Sequence, residues 1–193
     1  MGELDFEDVV FGYGGNTLFN GFSASFAKEQ ISCIVGPNGC GKSTLAKLAM
    51  GLIKPVSGRV LIQGCDVASL NPRERARRLG VLVQQQEAPM MTVRELAACG
   101  RFPHHGPLSR LDETDAQCID ETLSLAGVYD LRDRPLRSLS GGQRQRARMA
   151  MVLAQDTPVV LLDEPTSFMD AAACFDMMRL VRRVRERGKT VIA

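Results

Sequence analysis

Hydrophobic and polar positions along the chain first indicate a set of strands. Residues 4–11 and 22–26 alternate partly between apolar and polar side chains and contain many β-forming residues, which predicts two short strands around a turn at 12–15. Further strands are predicted at 31–35, 60–62, 79–83, 159–162 and 189–193. The short apolar runs 31–35 and 159–162 are typical of strands buried in a parallel sheet.

Helix-start signals divide the polar stretches between these strands. Asn71 before Pro72 resembles an N-cap followed by proline at the first helical position. Thr92 and Ser140 are each followed three residues later by Glu or Gln, which is the spacing of a capping box. The predicted helices cover 42–50, 72–78, 93–100, 112–126, 141–155 and 171–187.

Two arginine-rich stretches are expected to face water. Arg144, Arg146 and Arg148 do not share one helix face at their spacing. In the last helix the arginines from 179 to 187 are expected to form the solvent-exposed face. Its apolar side is expected to comprise Phe175, Met178, Val181 and Val184.

Strands alternate with helices at both ends of the chain, around a mostly helical middle. This order predicts a mixed α/β core with a helical insertion. The 193 residues, 45% of them hydrophobic, suffice for one domain with a real core. Right-handed crossovers would place the carboxyl ends of the parallel strands along one edge, where the motifs described next would meet.

Composition removes several classes of function. A net charge of +2, 5% aromatic residues and no Trp argue against a nucleic-acid partner. No apolar run approaches the roughly 18 residues that a transmembrane helix needs, and no secretory leader is visible, so a cytoplasmic protein is expected. Six cysteines without a CxxC pair predict reduced cysteines that pack in the fold, without zinc or disulfides.

A phosphate-binding loop is the first motif that carries chemistry. It consists of Gly36, Pro37, Asn38, Gly39, Cys40, Gly41, Lys42 and Ser43, followed by Thr44, and fits the pattern GxxxxGK[ST]. Backbone N–H groups of such a loop and the start of the next helix surround phosphate oxygens. Lys42 would reach the β and γ phosphates, Ser43 would bind magnesium, and Thr44 would assist at the α phosphate. A chance glycine-rich turn is the weaker interpretation, because a strand precedes the loop and a helix follows it.

Two acids end the apolar strand at 159–162. Successive side chains of a strand point to opposite sides, so Asp163 and Glu164 are expected to do different work. Asp163 suits magnesium and Glu164 suits polarising an attacking water, which are two requirements of phosphoryl transfer. An ordinary strand end with solvated carboxylates is the alternative.

The third motif is Leu139-Ser140-Gly141-Gly142-Gln143. A hydroxyl, the N–H groups of two glycines and a helix N-terminus form another anion site, although a plain capped helix would show the same residues. Its position after a P-loop and before Asp163-Glu164 decides the matter, because in this order the pentapeptide is the signature of ABC ATPases. The whole chain resembles that family.

The resemblance implies the fold and the site. The fold would be a P-loop NTPase core with a mostly parallel sheet, an N-terminal antiparallel β subdomain and a helical insertion. Residues 1–86 and 156–193 would form the core, and 87–155 the helical subdomain with the signature. ATP and Mg²⁺ are the implied ligands. The residues that the resemblance assigns outside the P-loop are Gln84 of the Q-loop, at magnesium and the membrane subunit; Glu164 as catalytic glutamate; Asp170 at the dimer seam; and Tyr13 stacked on adenine.

The resemblance also implies partners. One copy of each motif predicts a dimer, either of this chain or with a related ATPase subunit, in which Ser140, Gly141, Gly142 and Gln143 close on the ATP of the other subunit. Transmembrane permease subunits and a substrate-binding protein outside the membrane are implied, with this subunit on the inner face. The segments 92–96 and 100–104 are similar to importers of ferric siderophores, haem and cobalamin.

One family feature is missing from the sequence. The family carries a switch histidine just beyond the strand that follows Asp163-Glu164, but the only histidines here are His104 and His105. A truncated chain is therefore expected, which would bind nucleotide and hydrolyse it poorly. Two other functions are weighed against a transport ATPase: a soluble ABC ATPase acting on DNA or ribosomes, and a binding module without catalysis.

Overall fold

A computed structural model of the chain describes residues 2–83, 89–105, 110–167 and 169–193. Its strands are β1 (Leu4–Tyr13), β2 (Asn16–Phe26), β3 (Ile31–Ser32), β4 (Ser57–Ile62), β5 (Cys65–Asp66), β6 (Leu79–Leu82), β7 (Val159–Leu162) and β8 (Thr190–Ile192). Its α-helices are α1 (Lys42–Ala49), α2 (Pro72–Ala76), α3 (Val93–Cys99), α4 (Glu113–Leu125), α5 (Gly141–Ala154) and α6 (Ala171–Glu186).

The N-terminal strands form an antiparallel sheet in the order β2-β1-β4-β5. Gly14 and Gly15 close the β1–β2 hairpin with φ of 54° and 86°. This two-residue loop needs positive φ at both positions, which glycine adopts without steric cost. The two predicted strands and the turn between them are thus confirmed, but β2 begins at Asn16 and not at residue 22, and β1 extends to Tyr13. Strand β5 was not predicted because two residues carry no detectable pattern.

The second sheet is parallel, in the order β3-β8-β7-β6. The prediction of a mostly parallel core beside an N-terminal antiparallel subdomain is therefore confirmed. The prediction of a buried strand over 31–35 was wrong in extent. The strand β3 ends at Ser32, Ile31 is 40% exposed and Val35 is 92% exposed, because β3 is an edge strand with one hydrogen-bonded neighbour.

Strand β7 separates two hydrophobic clusters. Val159 and Leu161 join the cluster formed with α1 and the antiparallel sheet, whereas Val160 and Leu162 join the cluster formed with helices α3 to α6. All four side chains are buried, as expected for a parallel strand covered on both faces. The clusters hold the carboxyl end of β7, and hence Asp163, from two sides.

The predicted helix starts are confirmed. Thr92 and Ser140 each accept a hydrogen bond from the N–H three residues later, and the side chains of Glu95 and Gln143 bond back to the capping residue. Asn71 caps α2 in the same manner, with Pro72 in the first turn. These signals were readable in the sequence because each capping box is confined to four residues.

A buried ion pair fastens the segment after α3 to the two helices that follow. The Arg101 Nε donates to Asp115 Oδ1 over 2.8 Å, and its Nη1 donates to the Ala154 carbonyl at the end of α5, also over 2.8 Å. His105 Nε2 lies 2.7 Å from Asp115 Oδ2. The Asp115 side chain is 2% exposed and that of Arg101 is 13% exposed, so these charges are removed from water.

The buried side of α6 differs from the predicted one. Val181 and Val184 are buried as expected, but Phe175 is 71% exposed and Met178 is 50% exposed. Met177 and Leu180 take their places in the core. The helix is rotated relative to the prediction because its neighbours, and not its own pattern, select which of two overlapping apolar stripes is buried.

Arg146 also differs from its prediction. Its side chain is 22% exposed and its Nη1 lies 3.1 Å from Asp176 Oδ2, so it ties α5 to α6 and is not a solvated surface charge. The two helices are therefore joined by an ion pair that no local sequence pattern predicts.

The cysteines are only partly buried in the fold. Six cysteines are free, as predicted, but Cys33 and Cys40 are exposed and so do not pack in the core. None of the helices in the described part of the chain combines the length and hydropathy that crossing a bilayer requires.

Candidate nucleotide-binding site

The P-loop connects β3 to α1 and depends on two glycines. Gly39 and Gly41 have φ of 82° and 105°, values that other residues rarely adopt. A Cβ on Gly41 would lie 2.5 Å from the ring of Phe19, so the hairpin β1–β2 packs directly against the loop. Glycine is therefore required at Gly41 both for backbone conformation and for this close approach.

Lys42 folds back over the loop that precedes it. Its Nζ donates to the carbonyl oxygens of Gly36 and Pro37 over 2.8 and 3.0 Å, and lies 4.0 Å from Cys40 Sγ. The ammonium group is thus held at the mouth of the loop, where an anion would meet it. Asn38 is exposed beside these residues.

The two motifs that sequence analysis assigned to magnesium meet directly. Ser43 Oγ donates to Asp163 Oδ1 over 3.2 Å, although the residues are 120 positions apart. The neighbouring Thr44 is 8% exposed. A hydroxyl and a carboxylate offer the oxygen ligands that Mg²⁺ prefers, and Mg²⁺ often uses only one or two protein groups besides phosphate oxygens. In keeping with this, the described residues contain no group of three or more His, Cys, Asp or Glu that could hold a metal.

A cavity of about 150 Å³ lies between the P-loop helix and the end of β7. Lys42, Asp163 and Glu164 supply its charged lining. The other lining residues are Ile34, Ala46, Leu161, Leu162, Pro165, Ile192 and Ala193. The cation and the two acids predicted to act together therefore share one pocket with largely apolar walls.

Asp163 and Glu164 do have different contacts, as predicted. Asp163 bonds to Ser43, whereas Glu164 Oε2 accepts a hydrogen bond from the Ser167 hydroxyl over 2.7 Å. The reason is not strand alternation, because β7 ends at Leu162. Glu164 has a φ of 51°, so the backbone is left-handed directly after Asp163, and its exposed side chain meets Ser167.

Tyr13 stands at the end of β1 beside the P-loop. Its ring is 49% exposed and meets the ring of Phe11 edge-on, with 4.9 Å between centroids. Phe11 is paired across the sheet with Phe19, which packs on Gly41. Tyr13 is therefore an available aromatic face anchored to the hairpin that supports the loop.

The signature residues lie outside this cavity. Gly141 has open space around its Cα, while a Cβ on Gly142 would lie 3.1 Å from Ala173. Within the part of the chain that the structure describes, Ser140, Gly141, Gly142 and Gln143 are absent from the cavity lining. The signature of this chain therefore does not line the cavity that contains Lys42.

Positive charge accumulates after the signature. Burial lowers the pKa of Arg148, and the positive charge of Arg144, one helical turn earlier, lowers it further. Positive charge near a helix N-terminus destabilises the helix, as do like charges four residues apart. An anion bound at this end of α5 would offset both effects.

Gln84 and Asp170 are the two remaining predicted site residues. Gln84, predicted for catalysis and magnesium, lies outside the described residues, as does Phe168. Asp170 is the N-cap of α6, where its Oδ1 accepts a hydrogen bond from the N–H of Ala173 over 2.8 Å. Its predicted place at a dimer seam is compatible with this local role.

Two further residues contact the catalytic segment: Ser167, which the family resemblance places with Asp170 in the D-loop without a role of its own, and Gln145, for which nothing was predicted. Ser167 bonds to Glu164, and Gln145 Nε2 lies 3.4 Å from the carbonyl oxygen of Pro165. The first contact had a weak sequence signal, since a serine three residues after an acid can close a turn. The second joins different elements and had none.

Comparison with known proteins agrees with this geometry. The sequence pattern of the ABC transporter family matches residues 19–167, which include the P-loop, the signature and the acid pair. The chain belongs to the ABC transporter ATPases. It is thus an ATP-binding and ATP-hydrolysing subunit of such a transporter.

Among relatives of this ABC ATPase are three named for iron transport. It is 40% identical over 194 residues to the achromobactin transport ATP-binding protein CbrD of Dickeya dadantii, covering 100% of this chain and 72% of the relative. It is 37% identical to the iron(3+)-hydroxamate import ATP-binding protein FhuC of Bacillus subtilis, with the same coverage. It is 39% identical to the ferric enterobactin transport ATP-binding protein FepC of Escherichia coli, covering 97% and 70%.

Solved structures confirm the fold of this ABC ATPase. A nucleotide-free ATP-binding cassette from an ABC transporter superposes with a TM-score of 0.88 at 26% identity, covering 100% of this chain and 80% of that one. An inward-facing putative metal-chelate type ABC transporter superposes with a TM-score of 0.85 at 28% identity, covering 98% and 71%.

Proposed function

We propose that this ABC ATPase drives the import of ferric siderophores from the inner face of the membrane. The observation that supports its chemistry is the contact between Ser43 and Asp163, beside a pocket that Lys42 and Glu164 share. This arrangement combines an anion cradle, a site for a divalent cation and a carboxylate within reach of water. Phosphoryl transfer from ATP needs these parts and little covalent chemistry from the protein.

Each residue has a specific task in the proposed mechanism. The P-loop N–H groups and Lys42 bind the phosphates of ATP, and Thr44 assists at the α phosphate. Ser43 and Asp163 would hold Mg²⁺, and the family resemblance assigns Gln84 to the same ion, which would supply charge neutralisation. Glu164 orients the attacking water and accepts its proton. The exposed ring of Tyr13 stacks on adenine.

A second ATPase copy completes the proposed site. The signature has the chemistry of an anion site, with a hydroxyl at the N-cap, two glycines in the first turn of α5 and positive charge at Arg144. It does not line the pocket that contains Lys42. We therefore infer a dimer in which each signature binds the ATP held by the other subunit, and in which residues 87–155 move as the helical unit during closure.

Substitution of Ser140 separates capping from binding of the partner's ATP. Ser140→Ala removes the cap and is expected to cost about 1 kcal/mol of stability, whereas Asn is itself a good N-cap and Ser140→Asn should preserve it. Both variants should weaken ATP-dependent dimerisation, because neither retains the hydroxyl. Sedimentation velocity with and without ATP, in a Glu164→Gln background that preserves ATP, measures the dimer. Wild-type dimerisation of Ser140→Asn would show that Ser140 only caps α5.

The proposed cargo rests on the relatives and on two short segments of the sequence. Achromobactin, hydroxamate and enterobactin systems are the named relatives, and the segments 92–96 and 100–104 carry the resemblance noted in the sequence. The partners would be transmembrane permease subunits and a substrate-binding protein outside the membrane, because the relatives are named as subunits of import systems.

Iron uptake tests this assignment directly. In a strain that lacks the gene, uptake of radioactive iron is measured with hydroxamate and catecholate siderophores, with haem, and with cobalamin as a non-iron cargo. We expect siderophore uptake to be lost, and to be restored by the wild type but not by Lys42→Ala. The control Lys47→Ala changes an exposed lysine of the same helix and should restore uptake fully. Loss of haem or cobalamin uptake alone would contradict the siderophore assignment.

A further inference from the structure

The hydroxyl of Ser167 contacts the group that the proposed mechanism uses as a base. It donates to Glu164 Oε2 over 2.7 Å, and the Ser167 N–H donates to the Glu164 carbonyl over 3.2 Å. The two bonds close a turn in which side chain and backbone of the same glutamate are held by the same serine. We propose that Ser167 is a positioning residue that orients the carboxylate of Glu164 for attack of water on ATP. This inference rests on the proposed function.

The backbone of Glu164 explains why a positioning residue is needed. Its φ of 51° lies in the left-handed region, which a residue with a Cβ adopts only when its surroundings hold it there. The side chain is exposed, so burial does not restrict its rotation. With one carboxylate oxygen fixed by the Ser167 hydroxyl, the second is restricted to a narrow range of positions. A catalytic base is effective only when it stays within hydrogen-bond reach of the proton it accepts.

The turn at Ser167 also connects Glu164 to the signature helix. Gln145 of α5 contacts the Pro165 carbonyl, and Gly142 packs on Ala173 in the first turn of α6. The Met169 N–H donates to the Thr166 carbonyl, which continues the turn towards the cap of α6. A shift of α5 relative to β7 would therefore act on the turn that carries the Ser167–Glu164 bond. Through this serine, docking of the signature is coupled to the orientation of the base.

Two variants of Ser167 test the proposal in the complete gene product assembled with its permease. Ser167→Ala is expected to lower kcat about tenfold, the effect of losing one hydrogen bond to a charged group, while KM and the Kd for a fluorescent ATP analogue change less than about twofold. Ser167→Thr retains a hydroxyl and should keep roughly half or more of the wild-type kcat. A role limited to folding would instead lower both variants' stability without this separation of kcat from KM.

The Glu164→Gln background supplies the control. There, Ser167→Ala should lower the residual rate no further, because the carboxylate it positions is already gone. Wild-type kcat in Ser167→Ala, a Thr variant as slow as Ala, or a further loss in the Glu164→Gln background would each overturn the inference. If Glu164→Gln itself turned over ATP at the wild-type rate, the proposed function would fail first. An inactive Glu164→Gln beside a fast Ser167→Ala would refute the positioning role alone.

Discussion

Replacing Glu164 with Gln is expected to lower ATP turnover about 100- to 10,000-fold, the range measured when a general base is removed. The carboxylate lies in the pocket with Lys42 and Asp163, and Gln keeps its shape while losing the ability to accept a proton. The Kd for ATP should stay within about twofold, because the residues proposed to bind phosphate are untouched. Phosphate release under saturating Mg²⁺-ATP measures the first quantity, and titration with a fluorescent ATP analogue measures the second.

A second glutamate provides the matched control. Glu29 is exposed and has a φ of 57°, so Glu29→Gln makes the same chemical change in the same backbone region. Its N–H bonds to Thr190, away from the pocket lining. Wild-type turnover is expected for Glu29→Gln. Similar rates in both variants would show that the effect at Glu164 reflects the fold and not the removal of a base.

Replacing Asp115 with Asn is expected to reduce the free energy of unfolding by about 3 kcal/mol, the cost of leaving one partner of a buried ion pair uncompensated. The pair with Arg101 is almost fully enclosed, and the Arg101 guanidinium also bonds to the end of α5. Urea unfolding followed by circular dichroism measures the loss. Exchanging both partners for apolar residues, Arg101→Met with Asp115→Leu, should recover only part of it: no isolated charge then remains buried, but the Asp112 N–H and the Ala154 carbonyl lose their partners.

An exposed pair on the same helices is the control. Arg94 and Asp120 also join the α3 region to α4, with 2.8 Å between Nη1 and Oδ1, but their side chains are 38% and 37% exposed. Asp120→Asn should therefore cost less than about 1 kcal/mol. Equal losses for the two variants would contradict the claim that burial makes the Asp115 pair important.

Lowering the pH should reduce the stability that the Arg101–Asp115 pair provides. Burial alone would raise the pKa of Asp115, but hydrogen bonds from the Asp112 N–H and the Arg101 guanidinium, with His105 close by, hold it well below its usual range. A lowered pKa gives stability that is complete above the unfolded value, about pH 4, and is lost as the pH falls further. Unfolding of the wild type should thus become easier below that pH, with a smaller change in Asp115→Asn.

Features confined to a few neighbouring residues were predictable from the sequence. The capping boxes at Thr92 and Ser140, the P-loop and the buried run of β7 follow from spacing alone. The pairing of Ser43 with Asp163 was expected because parallel strands end along a common edge. In each of these cases the types of the residues and their spacing in a motif were sufficient to predict the local structure or contact.

Apart from the contact of Ser43 with Asp163, which two recognisable motifs indicated, features that depend on a distant neighbour were not predictable. Phe175 and Met177 are equally apolar in the sequence, and only the packing of α6 against the sheet decides that Met177 is buried. The Arg101–Asp115 pair joins residues whose polar character suggested a surface. The turn that brings Ser167 to Glu164 requires the backbone of Glu164 to adopt a positive φ, which the sequence does not predict for a glutamate.

The partition of side chains along β7 gives the acid pair a mechanical property. Val159 and Leu161 pack in one hydrophobic cluster while Val160 and Leu162 pack in the other, so the position of the strand depends on both clusters. A change in either cluster would therefore shift the carboxyl end of the strand. Because Asp163 and Glu164 follow that end directly, reducing the core on either side, for example by Leu161→Val or Leu162→Val, would displace both acids at once.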